Sequence, residues 1–301
     1  MSKIFIDGAA GTTGLKIADR LKNRSDIELI TLPEQYRKDE KARAEAMSKA
    51  DVVFLCLPDD AAREAVKLAD SDTVIIDTST AHRTEDGWVY GMPELPGQKD
   101  KIKDSKRIAN PGCHASGFIA LVAPLISNGI IDKSAELSCF SLTGYSGGGK
   151  KMIAEYEADN RDPLYEAPRQ YGLSQSHKHL PEMKFICGLD KAPVFCPVVA
   201  PFYSGMQVTV PVFGVDTDRI KEIYSSVYNG KKIEYKDVSD NGFISAAALS
   251  GTDKMYVSAY GSKERAILCA VYDNLGKGAS GAAIQNMNII LNAKETEGLI
   301  L

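Results

Sequence analysis

The sequence predicts an α/β protein: a doubly wound parallel sheet followed by an α+β second part. Three observations predict it. Apolar strand-like runs alternate with helical patterns as far as residue 79. A glycine-rich turn stands directly between the first run and the first helical stretch. Past Gly112 the alternation gives way to long β-rich stretches interrupted by few helices.

Each element follows from its pattern. KIFID (3–7) is short, apolar and β-prone, and residues 12–23 after the glycine turn read as a helix. IELITL (27–32) is a second strand, and the Ala-, Glu- and Lys-rich residues 40–49 a second helix. DVVFLCLP (51–58) is apolar throughout, as a strand covered on both faces must be. Residues 59–69 are helical again, and TVIIDTS (73–79) is a fourth strand. After Gly112 come a helical run to about residue 128, then ELSCFSLTG (136–144), VFCPVVAP (194–201), MQVTVPVFGV (206–215) and KKIEYKDV (231–238) as strands. A helix is expected at 217–228 and another in GASGAAIQNMNIILN (278–292). The reading gives a nucleotide domain over 1–112, completed by the C-terminal helix 276–301, and a catalytic and oligomerisation domain over 113–275.

Composition narrows the function classes. With 301 residues, 44% of them hydrophobic, the chain can bury a sizeable core. A formal net charge of −4 gives no electrostatic reason to expect a nucleic-acid partner or an anionic membrane. No apolar run approaches a membrane span, and the N-terminal run is too short for a signal peptide. The six cysteines are scattered without a CxxC pair, so neither a disulfide framework nor a structural zinc is expected, and the chain reads as cytoplasmic.

Gly8, Gly11 and Gly14 form G-A-A-G-T-T-G between strand and helix. Such a turn lets the backbone approach a pyrophosphate, and the helix N-terminus then offers free N–H groups and partial positive charge. The second strand ends without the acid that usually binds a ribose 2′-hydroxyl, and Arg37 and Lys38 follow closely. This favours NADP(H), although the two basic residues also fit the start of a solvated helix.

Asn110-Pro111-Gly112-Cys113-His114-Ala115-Ser116-Gly117 carries the chemistry. Pro and Gly end a strand and an apolar helix follows, so Cys113 sits at a helix N-terminus, where dipole and N–H groups stabilise a thiolate. The other five cysteines have apolar, strand-like neighbours and read as buried packing residues. Candidate acid/base partners are His177 and His179 in the polar, loop-like S-H-K-H-L-P-E, and the residues alone do not choose between them. A metal would need further ligands at suitable spacing, and none is expected. His114 is expected to point elsewhere on its helix, either in packing or in support of the residues that act.

GAAGTTG, NPGCHASG, GYSGGGK (144–150), SHKHLPE (176–182) and DNLGKGASGAAIQN (273–286) occur in this order. Together they closely resemble the N-acetyl-γ-glutamyl-phosphate reductases, in the shorter of that family's two types. The resemblance runs nearly end to end. It implies a Rossmann-type domain and a catalytic domain of the kind found in glyceraldehyde-3-phosphate and aspartate-semialdehyde dehydrogenases. It also implies a homodimer or homotetramer and NADPH-dependent reduction of N-acetyl-L-glutamyl 5-phosphate in arginine biosynthesis.

By resemblance, Cys113 is the nucleophile and the His177/His179 pair the acid/base segment. Gly8, Gly11, Thr12, Thr13 and Gly14 hold the pyrophosphate, with Arg37, Ser79 and Asn274 also at the cofactor. Arg83, Ser146 and Gly147 contact substrate. For Arg83 a surface ion pair is the competing reading. His114-Ala115-Ser116 departs from the longer type, which has an aromatic, a small residue and Thr after the nucleophile. Two other functions fit parts of the pattern: an aspartate-semialdehyde dehydrogenase, and an NADPH-binding sensor without catalysis.

Overall fold

The computed structural model describes residues 1–230 and 232–301, in two compact units. One comprises Met1–Gly112 with Ala279–Leu299, the other Cys113–Gly278 with Ile300–Leu301.

The first unit is a six-stranded sheet. Its strands are β1 (Ser2–Asp7), β2 (Ile27–Ile30), β3 (Val52–Leu55), β4 (Val74–Asp77), β5 (Val89–Tyr90) and β6 (Arg107–Ala109). All pair in parallel, in the order β2-β1-β3-β4-β6-β5. The chain therefore leaves β1 in two directions, and the crevice at this switch point lies beyond the end of β1, where the glycine turn stands. Its helices are α1 (Thr12–Leu21), α2 (Glu40–Ser48), α3 (Asp59–Leu68) and α4 (Gln98–Asp104).

Alternation along the strands feeds two cores. Ile4, Ile6, Val52 and Phe54 face Ile17 and Leu21 of α1 and Ile102 of α4. Phe5, Val53 and Leu55 face Ala46 and Met47 of α2 and Ala62 and Ala65 of α3. This is why β3 is apolar at every position.

The second unit begins with α5 (Cys113–Ser127). It continues through β7 (Ser138–Gly144), α6 (Gly149–Glu157), β8 (Arg169–Gln170), α7 (His179–Cys187), β9 (Val194–Ala200), β10 (Met206–Phe213) and α8 (Thr217–Val227), then β11 (Ile233–Tyr235), β12 (Met255–Gly261) and β13 (Arg265–Tyr272). The seven strands form a mixed sheet in the order β11-β12-β13-β10-β7-β9-β8. Of the strand expected over 231–238, only Ile233–Tyr235 pairs, and Lys231 lies outside the described residues.

Buried α5 packs on β10 and β13, and beside α7 and α8. Pro124 inside it cannot donate to the Ala120 carbonyl, and the hydroxyl of Tyr228 donates there instead, at 2.7 Å.

The final helix, α9 (Gly281–Ile290), follows a single π-helical turn at Gly276–Ser280 and belongs to the first unit. Ala283, Ile284, Met287 and Ile289 join the core that holds Ile4 and Val52. Arg24 ties it down further, donating to Asn288 Oδ1 at 2.6 Å while pairing with Asp26.

Candidate functional site

In the first unit, β1 runs into Gly8 at φ +87°, where a Cβ would lie 2.3 Å from the Cys56 carbonyl oxygen. A Cβ at Gly14 would lie 2.6 Å from the Gly8 carbonyl oxygen. Both positions need glycine for the turn itself. Gly11 differs: a Cβ there would make only an ordinary contact, 3.5 Å from Gly8 O. Gly11 caps α1 without a side-chain hydrogen bond, Thr12 and Thr13 form its first residues, and no acid stands in the first turn. The free N–H groups and the dipole end suit a pyrophosphate.

Beside the turn lies a cavity of about 500 Å³, lined by Gly8, Ala9 and Ala10 on one side and by Thr31, Leu32, Arg37 and Lys38 on another. Arg37 and Lys38 are exposed and precede α2, which starts at Glu40 behind its Asp39 cap. They are therefore not the start of a helix. The residues present fit a phosphorylated dinucleotide.

One contact here was not visible in the sequence. Asp7 is buried at the end of β1, and Arg43 of α2 binds its carboxylate through Nε at 3.1 Å and Nη2 at 2.7 Å. The pair neutralises an acid beside the phosphate turn.

Ser79 does not line this cavity. Its hydroxyl donates to Asp77 at 2.7 Å and accepts from the Ala81 N–H at 3.1 Å, which shapes the loop after β4. Asp77 also holds His82 Nδ1 at 2.6 Å. Arg83 is buried rather than on the surface: Nε donates to Asn110 O at 2.9 Å and Nη2 to Thr78 O at 3.1 Å.

In the second unit Cys113 is the first residue of α5 and is partly exposed within an otherwise buried run. The first turn is opened by a phenol. Gly117 N–H donates to the Tyr272 hydroxyl at 3.1 Å, and that hydroxyl donates to the Cys113 carbonyl. The phenol thus stands between a donor and an acceptor that would otherwise pair within the helix. Gly117 makes room for it, since a Cβ there would lie 2.6 Å from the Tyr272 oxygen.

A cavity of about 190 Å³ opens at this turn, lined by Cys113, His114, Thr143, Gly144, Gly147, Gly148, Met152, Tyr171, His177 and Val199. Of the expected residues it brings together Cys113, His177 and Gly147. His179 is buried at the start of α7 and does not line it, so SHKHLPE is half loop and half helix. The backbone N–H of His179 donates to His177 Nδ1 at 3.2 Å.

Ser146 and Asn274 stand behind the wall. Asn274 Nδ2 donates to Ser146 Oγ at 3.0 Å, and its Oδ1 accepts from Gly205 N at 2.9 Å. Asp273 organises this loop, accepting from Leu275 N, Gly276 N, Ser204 Oγ and Gly251 N.

His114 does not point away. It lies in the cavity wall, with its ring centroid 5.7 Å from that of His177 and 5.5 Å from that of His179. Burial, and then the charge of His177, push its pKa down from 6.5 to about 3. Its Nδ1 meets Ser141 Oγ at 2.7 Å and its Nε2 the Tyr171 hydroxyl at 2.7 Å. Sequence reasoning missed Ser141 and Tyr171; a tyrosine six residues before His177 in a polar loop was the one available signal.

Four of the other cysteines are held as thiols by burial. Burial pushes Cys56 up to about 12 and Cys269 up to about 11, and raises Cys139 and Cys187 as well. Among the described residues no group of three His, Cys, Asp or Glu could hold a metal ion, and no helix is long and apolar enough to cross a membrane.

The chain is 45% identical to the N-acetyl-gamma-glutamyl-phosphate reductase of Trichormus variabilis, over 99% of both chains. It is 44% identical to the reductase of the same name from Chelativorans sp., over 97% of this chain and 98% of that one. The chain belongs to the N-acetyl-gamma-glutamyl-phosphate reductase family. Residues 3–105 match the semialdehyde dehydrogenase NAD-binding domain and residues 113–274 the semialdehyde dehydrogenase dimerisation domain.

Solved structures agree on the fold. Aspartate semialdehyde dehydrogenase II from Vibrio cholerae superposes with a TM-score of 0.72 at 17% identity, over 97% of this chain and 99% of that one. The Candida albicans aspartate semialdehyde dehydrogenase with NADP gives 0.71 at 17% identity, with the same coverage. The Rossmann-type α/β fold class expected from the sequence is thus the observed one.

Proposed function

We propose that this chain reduces N-acetyl-L-glutamyl 5-phosphate with NADPH to N-acetyl-L-glutamate 5-semialdehyde and phosphate, in arginine biosynthesis. The observation that carries the reading is Cys113: it opens α5 and shares one cavity with His177. The family and the near end-to-end likeness to named reductases supply the substrate class.

In this reading the first unit is the nucleotide domain, completed by α9, and the second is the catalytic and oligomerisation domain. The Cys113 sulfur attacks the acyl carbon, the C–S bond forms, and the C–O bond to phosphate breaks with its electron pair leaving on phosphate. The thiol proton ends on that phosphate, and His177 is the group in the cavity that carries it. When bound, the dinucleotide supplies the hydride that reduces the thioester. Collapse of the tetrahedral centre breaks the C–S bond, releases the aldehyde and leaves the Cys113 thiolate, which takes a proton from solvent to restore the thiol. The α5 N-terminus steadies negative charge at each stage.

Gly8, Gly11, Thr12, Thr13 and Gly14 hold the pyrophosphate, and Arg37 with Lys38 favours a 2′-phosphate. Gly147 borders the substrate. Ser146 and Asn274 act by fixing the loops around it, Ser79 by fixing the loop after β4, and Arg83 by holding the Asn110 carbonyl three residues ahead of Cys113. Phe140, Phe213 and Ile267 are exposed on the sheet, which supports a homodimer or a larger assembly. A cytoplasmic location fits six free cysteines and a biosynthetic substrate.

The test is phosphate-dependent NADP reduction with N-acetylglutamate semialdehyde, run against aspartate semialdehyde. Turnover of the acetylated substrate, abolished in Cys113→Ser with NADPH binding retained, is expected. Reaction of the aspartyl compound alone overturns the assignment.

A further inference from the structure

Ser141 of β7 is fully buried, and its Oγ lies 2.7 Å from His114 Nδ1. Across the same ring, Nε2 lies 2.7 Å from the Tyr171 hydroxyl. Burial between Ser141 and Tyr171 disfavours a charge on the His114 ring, so in its neutral form one nitrogen donates and the other accepts. Two arrangements are possible. In the first, Ser141 donates to Nδ1 and Nε2–H donates to the Tyr171 oxygen. In the second, Nδ1–H donates to Ser141 and Tyr171 donates to Nε2.

Burial decides between them. Among the described residues, His114 Nδ1 is the group that meets Ser141 Oγ. In the second arrangement the Ser141 proton is left buried without an acceptor, which costs about 1–3 kcal/mol. The first leaves only unused lone pairs on the Ser141 oxygen. It also frees the Tyr171 O–H, because the phenol oxygen already accepts from His114.

We propose that Ser141 and His114 are positioning residues in a one-directional hydrogen-bond chain. The chain leaves the Tyr171 hydroxyl proton free to donate, inside the Cys113 cavity, to the carbonyl oxygen of the thioester. Tyr171 and Cys113 line that cavity together. The donor acts where negative charge develops on oxygen as the thioester is reduced. No proton need be transferred: the tetrahedral oxyanion is held by the phenol, and its electron pair re-forms the C=O bond as the thiolate leaves. Burial and the nearby Cys113 charge raise the Tyr171 pKa, which keeps the phenol protonated as a donor. The other titratable rings against His114 are His177 and His179. The role of Tyr171 rests on the Cys113 thioester reading; the direction of the chain does not.

Two experiments test it. In the full-length protein labelled with ¹⁵N-histidine, His114 should show an unprotonated Nδ1 and a protonated Nε2; the opposite tautomer overturns the chain. In steady-state kinetics, Tyr171→Phe should lower kcat about 100-fold, the scale of one oxyanion donor, with KM little changed. Ser141→Ala should lower kcat about tenfold by releasing the tautomer, and should cause no further loss when added to Tyr171→Phe. Additive losses would mean that Ser141 acts through packing, and unchanged kcat in Tyr171→Phe would remove the donor. A wild-type protein that fails to reduce the acetylglutamyl substrate sinks the broader reading, while the histidine spectrum still decides the chain.

Discussion

The backbone N–H of His179 donates to Nδ1 of His177 at 3.2 Å, while the two rings stand 4.8 Å apart. A neutral His177 so held carries its proton on Nε2. In the proposed acid/base role, taking up a proton at Nε2 requires the ring first to move its own proton or release this bond. The bond therefore marks the resting state.

The contribution of His179 to that contact is main chain, and its ring lies outside the cavity. His177→Asn should lower kcat by about 10²–10⁴-fold, the range for a lost acid/base. His179→Asn keeps the backbone donor and should lose less than about tenfold in kcat, with its main effect on thermal stability. Parallel kinetics and melting curves of the two variants check this. A larger kcat loss in His179→Asn would reverse the assignment.

The Tyr272 phenol inside the first turn of α5 makes a second, separable prediction. Tyr272→Phe removes the hydroxyl that bridges the Gly117 N–H and the Cys113 carbonyl, and should cost about 1 kcal/mol as the turn closes on itself. Because the defect lies under Cys113, the rate of its iodoacetamide labelling should change as well. In the wild type Cys113 should label ahead of Cys56, Cys139, Cys187 and Cys269, whose thiols burial holds protonated. Peptide mapping after limited alkylation reads both effects. Prior labelling of any of those four cysteines contradicts the arrangement.

What the sequence made legible, and what it did not, divides by distance along the chain. β1, the glycine turn and α1 are contiguous, and local rules suffice for them. The same holds for Pro111-Gly112-Cys113 followed by an apolar run. β5 and β8 are two residues each, too short to show a period. The hydroxyl that opens the Cys113 turn comes from 159 residues away. His114 was misread because helical spacing gives the direction of a side chain but not what meets it. Here a serine of β7 and a tyrosine of the loop before His177 turn an apparent packing residue into part of the cavity wall. Arg43 on Asp7 was missed for the same reason: an arginine amid helix-forming residues looks solvated until the sheet is built beneath it.

Two glycines of the nucleotide turn, Gly11 and Gly14, should separate binding from folding. Gly14→Ala drives a Cβ to 2.6 Å from a backbone oxygen and should destabilise the first unit as well as abolish NADPH binding. Gly11→Ala meets the turn only at 3.5 Å and should leave stability unchanged. If the pyrophosphate rests against Gly11, NADPH affinity nonetheless falls tenfold or more, by about 1.4 kcal/mol. Fluorescence titration with NADPH beside urea unfolding measures both. Full affinity in Gly11→Ala would place the pyrophosphate elsewhere.

The buried His114 gives stability a pH dependence of definite sign. Burial, then His177, lowers its folded pKa from 6.5 to about 3. Between those values the unfolded chain binds a proton that the folded chain refuses. The contribution is therefore fully present above pH 6.5 and is lost as pH falls from 6.5 toward 3. The slope approaches about 1.4 kcal/mol per pH unit for the one group. His114→Gln removes the titration, so the stability difference between wild type and variant should shrink steadily on acidification. Urea midpoints of both proteins across mildly acidic pH give that difference directly, with the carboxylates common to both cancelling. Parallel curves would mean that the ring takes up its proton in the folded chain, and that the neutral histidine linking Ser141 to Tyr171 is not its resting form.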